Sequence, residues 1–152
     1  MKLHRVEFSG ELLERGFWLY FWKIQSGSEV YYYVGRTGDS SSKFAASPFS
    51  RLGQHLDIRP KATANMLLRR LKQAGVDPTS CQYQLNALGP IFPEQTTLDL
   101  HRQFRDRISP LETKLAEHLR ARGLAVLGKH SKPKSVGEQL WSEIRRSFDS
   151  AL

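Results

Sequence analysis

The chain has 152 residues, 39% hydrophobic and 25% charged, enough to close one core without staples and in the proportions of an ordinary globular protein. Its single cysteine, Cys81, excludes an intramolecular disulfide and a cysteine-based zinc site, and points to a reducing compartment. The net charge of +8, from 23 Lys and Arg against 15 Asp and Glu, favours a polyanionic partner, most often nucleic acid, over a merely solubilised surface.

The opening stretch, MKLHRVEFSGELLERG, is interrupted by charge too often to be a signal peptide. The longest apolar run lies inside FWLYFWKI and is far too short to cross a bilayer. The expectation is a cytoplasmic protein without a membrane partner, forming a single domain over residues 1–152.

Residues 16–37, GFWLYFWKIQSGSEVYYYVGRT, hold eight of the 16 aromatic side chains. Residues 17–24 and 29–36 predict two strands, rich in aromatic and β-branched residues and joined through QSGS. With Ser26-Gly27 as a tight turn, Tyr20 falls opposite Tyr33. Tyr31 shares their face, while Tyr32 and Val34 point to the other.

SPFSRLGQHL predicts a helix capped by Ser47, with Pro48 at its first position and Arg51 and His55 four apart on one face. KATANMLLRRLKQAG predicts a second helix ending at Gly75, with Met66, Leu67 and Leu71 inward and Arg69, Arg70 and Lys72 outward. CQYQLNALG alternates as a third strand, and TTLDLHRQFRDRI predicts a third helix. SPLETKLAEHLRARG predicts a separate fourth helix, capped by Ser109, started by Pro110, stopped by Gly123 and buried along Leu111, Leu115 and Leu119. SVGEQLWSEIRRSFDSAL predicts a last helix opened by a Ser-x-x-Glu box. Together these elements predict an α+β fold, a small three-stranded antiparallel sheet flanked by helices.

The basic surplus is uneven. Residues 1–50 carry six basic and five acidic side chains, residues 51–99 six and four, and residues 100–152 eleven and six. Arg36, Lys43, Lys61, Arg69, Lys72, Lys129, Lys132 and Lys134 are the candidate phosphate contacts, the last three in the loop GKHSKPKS. His4, His101, His118 and His130 have no metal-like spacing and are expected at the surface or in the core.

The ordered series WLY (18–20), YVGRT (33–37), RLGQH (51–55) and Glu112 resembles the GIY-YIG nuclease family. The resemblance covers residues 17–123 and leaves 124–152 as a C-terminal helical extension. Trp18 and Leu19 stand where the family usually has Gly and Ile. No asparagine follows Asn86, although the family commonly has one after its glutamate, and LGKH occupies that region.

The resemblance implies a metal-dependent endonuclease that hydrolyses phosphodiester bonds in DNA by in-line attack of water. It makes Tyr20, Tyr33, Arg51, His55 and Glu112 the catalytic set, with Mg²⁺ or Mn²⁺ held by Glu112. The residue types suit the reaction. A carboxylate can hold a hard cation, Arg51 offers a planar fork to phosphate oxygens, Tyr20 is placed as general base, and Tyr33 and His55 orient the water or relay its proton. Two alternatives stay open: a nucleic-acid-binding module with degenerate catalysis, and a ribonuclease. A homodimer is a further open arrangement.

Tyr20 and Tyr33 could be half-buried sheet residues, and Arg51 a solvated helix arginine. Glu112 has two distinct geometries: folded back on the Ser109 amide as a capping box, or projecting into one cleft with Tyr20 and Arg51.

Overall fold

The computed structural model describes residues 1–130 and 135–152. The fold is α+β. Strands β1 (Gly16–Ser26) and β2 (Glu29–Arg36) form a hairpin, followed by helices α1 (Pro48–His55) and α2 (Met66–Gln73). Strand β3 (Gln82–Pro93), helix α3 (Leu98–Ala121), strand β4 (Ala125–Val126) and helix α4 (Glu138–Asp149) complete the order.

The sheet has four strands in the order β3-β1-β2-β4. The first three are antiparallel as expected, but β4 joins β2 in parallel, so the sheet is mixed rather than three-stranded antiparallel. Two residues are too few to show a period, so β4 leaves little sign in the sequence.

The hairpin register also differs from expectation. The turn is Gly27-Ser28, with Gly27 at φ 59°, the left-handed conformation that a two-residue hairpin turn needs and glycine tolerates. Ser26 therefore pairs with Glu29, Tyr20 with Gly35, and Trp22 with Tyr33. Tyr33 is a diagonal neighbour of Tyr20 instead of its direct partner. The displacement is two residues, an even number, so every side chain keeps its predicted face.

That division of faces builds two cores. Phe17, Leu19, Phe21, Tyr32 and Val34 meet Ile108, Leu111, Leu115 and Leu119 of α3 and Trp141, Ile144 and Phe148 of α4. Tyr20, Trp22 and Ile24 meet Leu67, Leu68 and Leu71 of α2 on the other side, with Tyr31, Tyr33 and Leu52 packed around them. The segment expected as a C-terminal extension thus supplies both an edge strand and part of the first core. Met66, expected inward, is exposed, and Leu68 takes the buried place beside Leu67.

The third and fourth predicted helices are one. α3 runs from Leu98 to Ala121 through Pro110, so Ser109 is not a cap and Pro110 is not a first residue. A proline inside a helix costs about 3 kcal/mol. The apolar stripe stays in phase across it, however, with Ile108, Leu111, Leu115 and Leu119 fully buried. Each such side chain contributes about 1.5–3 kcal/mol, so burial outweighs the break. The Ser-x-x-Glu box before α4 is likewise not formed: Gly137 is the N-cap, without a side-chain bond.

Within YVGRT, Thr37 has a structural task. Its buried hydroxyl accepts from the Trp18 amide at 2.8 Å and donates to the Gly16 carbonyl, joining the end of β2 to the start of β1.

Candidate active site

The centre of the site is the ring of Tyr20, which is 1% exposed and lies across Gly35 on the neighbouring strand. A Cβ at position 35 would sit 2.6 Å from the Tyr20 hydroxyl oxygen and Cε2. The glycine of YVG is therefore required by close approach of the opposing ring.

Ser47 caps α1 by accepting from the Ser50 amide, which fixes the start of the helix and aims its inner face at the tyrosines. His55, also buried, places Nε2 2.7 Å from the Tyr20 hydroxyl oxygen. Its ring also meets Tyr33 edge-on, with centroids 5.3 Å apart.

Two tautomers are consistent with the Tyr20–His55 bond. If Tyr20 donated, Nδ1–H would be a buried donor without a partner, since Nδ1 has none. If His55 donates from Nε2, the Tyr20 proton points to the Arg36 carbonyl, a long contact at 3.4 Å, and only a lone pair on Nδ1 is left. An orphaned buried N–H costs more than an orphaned acceptor, so we assign the second arrangement.

Protonation states follow from burial. Burial, then the Arg51 charge, lowers His55 to about 4, so its imidazole is neutral at pH 7. Burial pushes the Tyr20 phenol well above its ordinary value, against the pull of Arg51. Tyr33 is pushed up to about 12, first by burial and then by the Glu112 carboxylate, with Arg51 again opposing. Both phenols therefore hold their protons at neutral pH, and Arg51 is the charge that favours ionisation of each.

Arg51 shares the α1 face with His55, as expected from their spacing. Its guanidinium is engaged by Asp39 at 2.9 Å and by Gln54 at 2.9 Å. It opens on a cavity of about 350 Å³ that Asp39, Phe44, Ser50, Gln54 and Arg15 also line.

Glu112 does not fold back on Ser109. Its Oε2 accepts from Arg36 Nε at 2.8 Å, and burial, opposed by Arg36, raises its pKa above the usual carboxylate range. It lines a second cavity of about 260 Å³ with Tyr33, Arg70, Lys129 and His130. The expected single cleft is thus two openings: Tyr33 and Glu112 line one and Arg51 the other, while the buried His55, on the helix of Arg51, touches both Tyr20 and Tyr33.

The second cavity lies past the end of β4, where Leu127, Gly128, Lys129 and His130 line it. β4 covers β2 only at Tyr31 and Tyr32, and Leu127 adds one further bond to the Tyr32 carbonyl. Beyond that point the edge of β2 has no strand beside it among the described residues. Tyr33 from one face and Glu112 from the helix on the other reach the same space there.

The remaining candidates divide. Arg36 is inside, on Glu112. Lys129 lines the second cavity, and Lys43 lies on the exposed loop beside the first. Lys61, Arg69 and Lys72 line neither cavity, and all three are exposed. Lys132 and Lys134 lie outside the described residues.

Three neighbours of the candidate residues carry no signal in the sequence pattern: Asp39, Arg70 and His130. Arg70, expected outward, lines the second cavity because α2 begins only at Met66 and packs through Leu67, Leu68 and Leu71. His130 accepts from Arg120 through Nδ1 at 3.1 Å, so it latches the LGKH segment onto α3. That segment, where the family's asparagine is missing, does reach the cavity of Glu112.

For a divalent cation the donor set offers one hard carboxylate oxygen, in a cavity open to water and lined mainly by polar groups. Among the described residues no group of three or more His, Cys, Asp or Glu is gathered for a metal. One carboxylate fits Mg²⁺, which commonly uses one or two with substrate oxygens and water completing its shell. Arg36 is the competitor for that oxygen.

No helix among the described residues is long and apolar enough to cross a membrane. Comparison with models of known protein families, with curated proteins and with solved structures gives no match to this chain.

Proposed function

We propose that the chain is a phosphodiester-hydrolysing endonuclease of the GIY-YIG type, acting on DNA with Mg²⁺ or Mn²⁺. The observation that carries this reading is the convergence of Tyr20, Tyr33 and His55 on one sheet face beside Arg51, with Glu112 brought to Arg36 from 76 residues away.

Glu112 would hold the cation, whose chemistry is to neutralise charge on the phosphoryl oxygens. Arg51 binds a non-bridging phosphate oxygen through its fork, in place of Asp39. Tyr33, whose ring lines the open cavity, orients the attacking water. Tyr20 acts as general base in its phenolate form, reached by loss of its own proton to solvent and favoured by the Arg51 charge and the Nε2–H of His55; it then takes the proton of the water.

The test is incubation with supercoiled plasmid and Mg²⁺ or Mn²⁺. Nicked or linear product is expected, and it should disappear in Tyr20→Phe, Arg51→Ala and Glu112→Ala with the fold retained. Cleavage that survives all three substitutions removes the assignment.

A binding module without turnover is supported by the engagement of Arg51 by Asp39 and of Glu112 by Arg36. Salt-sensitive binding of DNA with no nicking under either cation would favour it. The same assay on RNA separates a ribonuclease.

A further inference from the structure

We propose that Phe44 is a stacking platform for an unpaired nucleobase, next to the phosphate bound at Arg51. The inference rests on the nucleic-acid part of the reading above and not on its chemistry. It specifies the substrate further: a strand that is single or locally unpaired at the site.

Phe44 is 56% exposed, and the groups set against its ring are the cations Arg15 and Lys43. Its position is not slack. The Phe44 carbonyl accepts from Ser40 Oγ at 3.0 Å, and the next amide, Ala45 N–H, donates to Glu94 Oε1 at 3.0 Å. Arg15 then donates to the Ala45 carbonyl at 3.1 Å and pairs with the same Glu94 oxygen at 2.8 Å. Ala45 itself is fully buried. On the other side the Phe44 amide donates to Ser42 Oγ at 3.3 Å, so the backbone is held on both sides of the exposed ring.

The surroundings are those of a nucleotide. The Arg15 guanidinium carbon lies 5.2 Å from the Phe44 centroid and the Lys43 ammonium 5.3 Å. Both line up with Arg51 around the cavity of about 350 Å³ or beside it, a volume within the usual range of about 300–1,000 Å³ for small-ligand sites. Arg15 is paired with Glu94 and Arg51 with Asp39, which leaves Lys43 as the surplus cation beside the cavity and gives this corner a net positive charge.

An aromatic face flanked by cations is the arrangement that tracks unpaired strands. The base takes the π-face and the cations take the phosphates on either side. Lys43, on an exposed flexible stem, moves from the ring to a phosphate when the base arrives. A base inside a duplex cannot present its face to Phe44, which is why the platform selects an unpaired one.

The experiment uses the full chain without divalent cations, so that nothing is cut. The probe is a single-stranded DNA 12-mer carrying one 2-aminopurine, read by anisotropy and by base fluorescence. The matching duplex and RNA 12-mer are run in parallel. Phe44→Ala should weaken single-strand binding by about 5- to 150-fold, the span of base–aromatic stacking under alanine substitution. Phe44→Trp should restore it and quench the probe. Duplex binding should change by less than about twofold.

Unchanged single-strand affinity in Phe44→Ala, failure of Phe44→Trp to restore it, or an equal loss on duplex would each overturn the proposal. A larger Phe44 dependence on the RNA strand keeps the platform and makes ribonucleotides its occupant. Phe44-dependent binding with no Mg²⁺-dependent cleavage keeps the platform while the nuclease reading fails. No binding of any strand by the unaltered chain removes both.

Discussion

Gly35→Ala tests the geometry of the site at one atom. The added Cβ would lie 2.6 Å from both the Cε2 and the hydroxyl oxygen of Tyr20, and 2.7 Å from Cζ. Carbon contacts settle near 3.5–4.0 Å, so ring and strand must separate by about 1 Å. The ring is enclosed and β1 is hydrogen-bonded on both sides, by β2 and β3. Overpacking of this kind costs about 1–3 kcal/mol. For a domain of this length that lowers the melting temperature by about 2–12 °C.

Under the endonuclease reading proposed above, the functional cost should be larger than the structural one. A retreat of about 1 Å stretches the 2.7 Å Tyr20–His55 contact beyond hydrogen-bond range. Misplacing a reacting group by that distance costs about 10²-fold in rate. Thermal melting and plasmid cleavage on the same preparation read both effects. A Gly35→Ala protein that melts and cuts like the unaltered one refutes the close-approach argument. One that melts lower but cuts normally shows that the Tyr20–His55 contact is not needed for the reaction.

Two further outcomes follow from buried polar groups. Thr37→Val keeps the shape but removes the hydroxyl between Trp18 N–H and the Gly16 carbonyl. It should destabilise the fold by about 1–3 kcal/mol in urea unfolding, and full stability would refute the linking role. His55, lowered to about 4 from an ordinary 6.5, makes the unfolded chain bind more protons than the folded one between those values. Stability is therefore full above pH 6.5, falls as pH drops through this window, and reaches its floor below pH 4, by up to about 3 kcal/mol. Glu112, whose pKa is raised, contributes with the opposite sign. The comparison is accordingly between the unaltered chain and His55→Gln, whose difference should vanish from this window if His55 is not the group responsible.

Much of the fold is legible because burial imposes a period. The tyrosine triplet sorts onto two faces from alternation alone, although the turn falls one residue later than Ser26-Gly27. That shift moves Tyr33 from direct to diagonal neighbour of Tyr20 without changing its face. Where tertiary burial competes with a local signal, the sequence misleads. Ser109-Pro110 has the chemistry of a helix start, but the stripe from Ile108 to Leu119 continues in phase and the helix runs through. The reading of Glu112 as a capping residue disappears with that cap.

Of the candidate site, the spacing on one helix is legible in the sequence and the three-dimensional arrangement is not. Arg51 and His55 follow from a four-residue spacing on one helix. Their partners do not: Asp39 comes from a small-residue loop with no period, and Arg36 meets Glu112 only through the packing of α3 on the sheet. The decisive element is β4, two residues long and invisible to any periodicity. Had it continued along β2, its backbone would have closed the edge at Tyr33 to Arg36. Past Val126, residues from opposite faces of the sheet line one cavity, so the glutamate of α3 lies beside a tyrosine that points away from that helix.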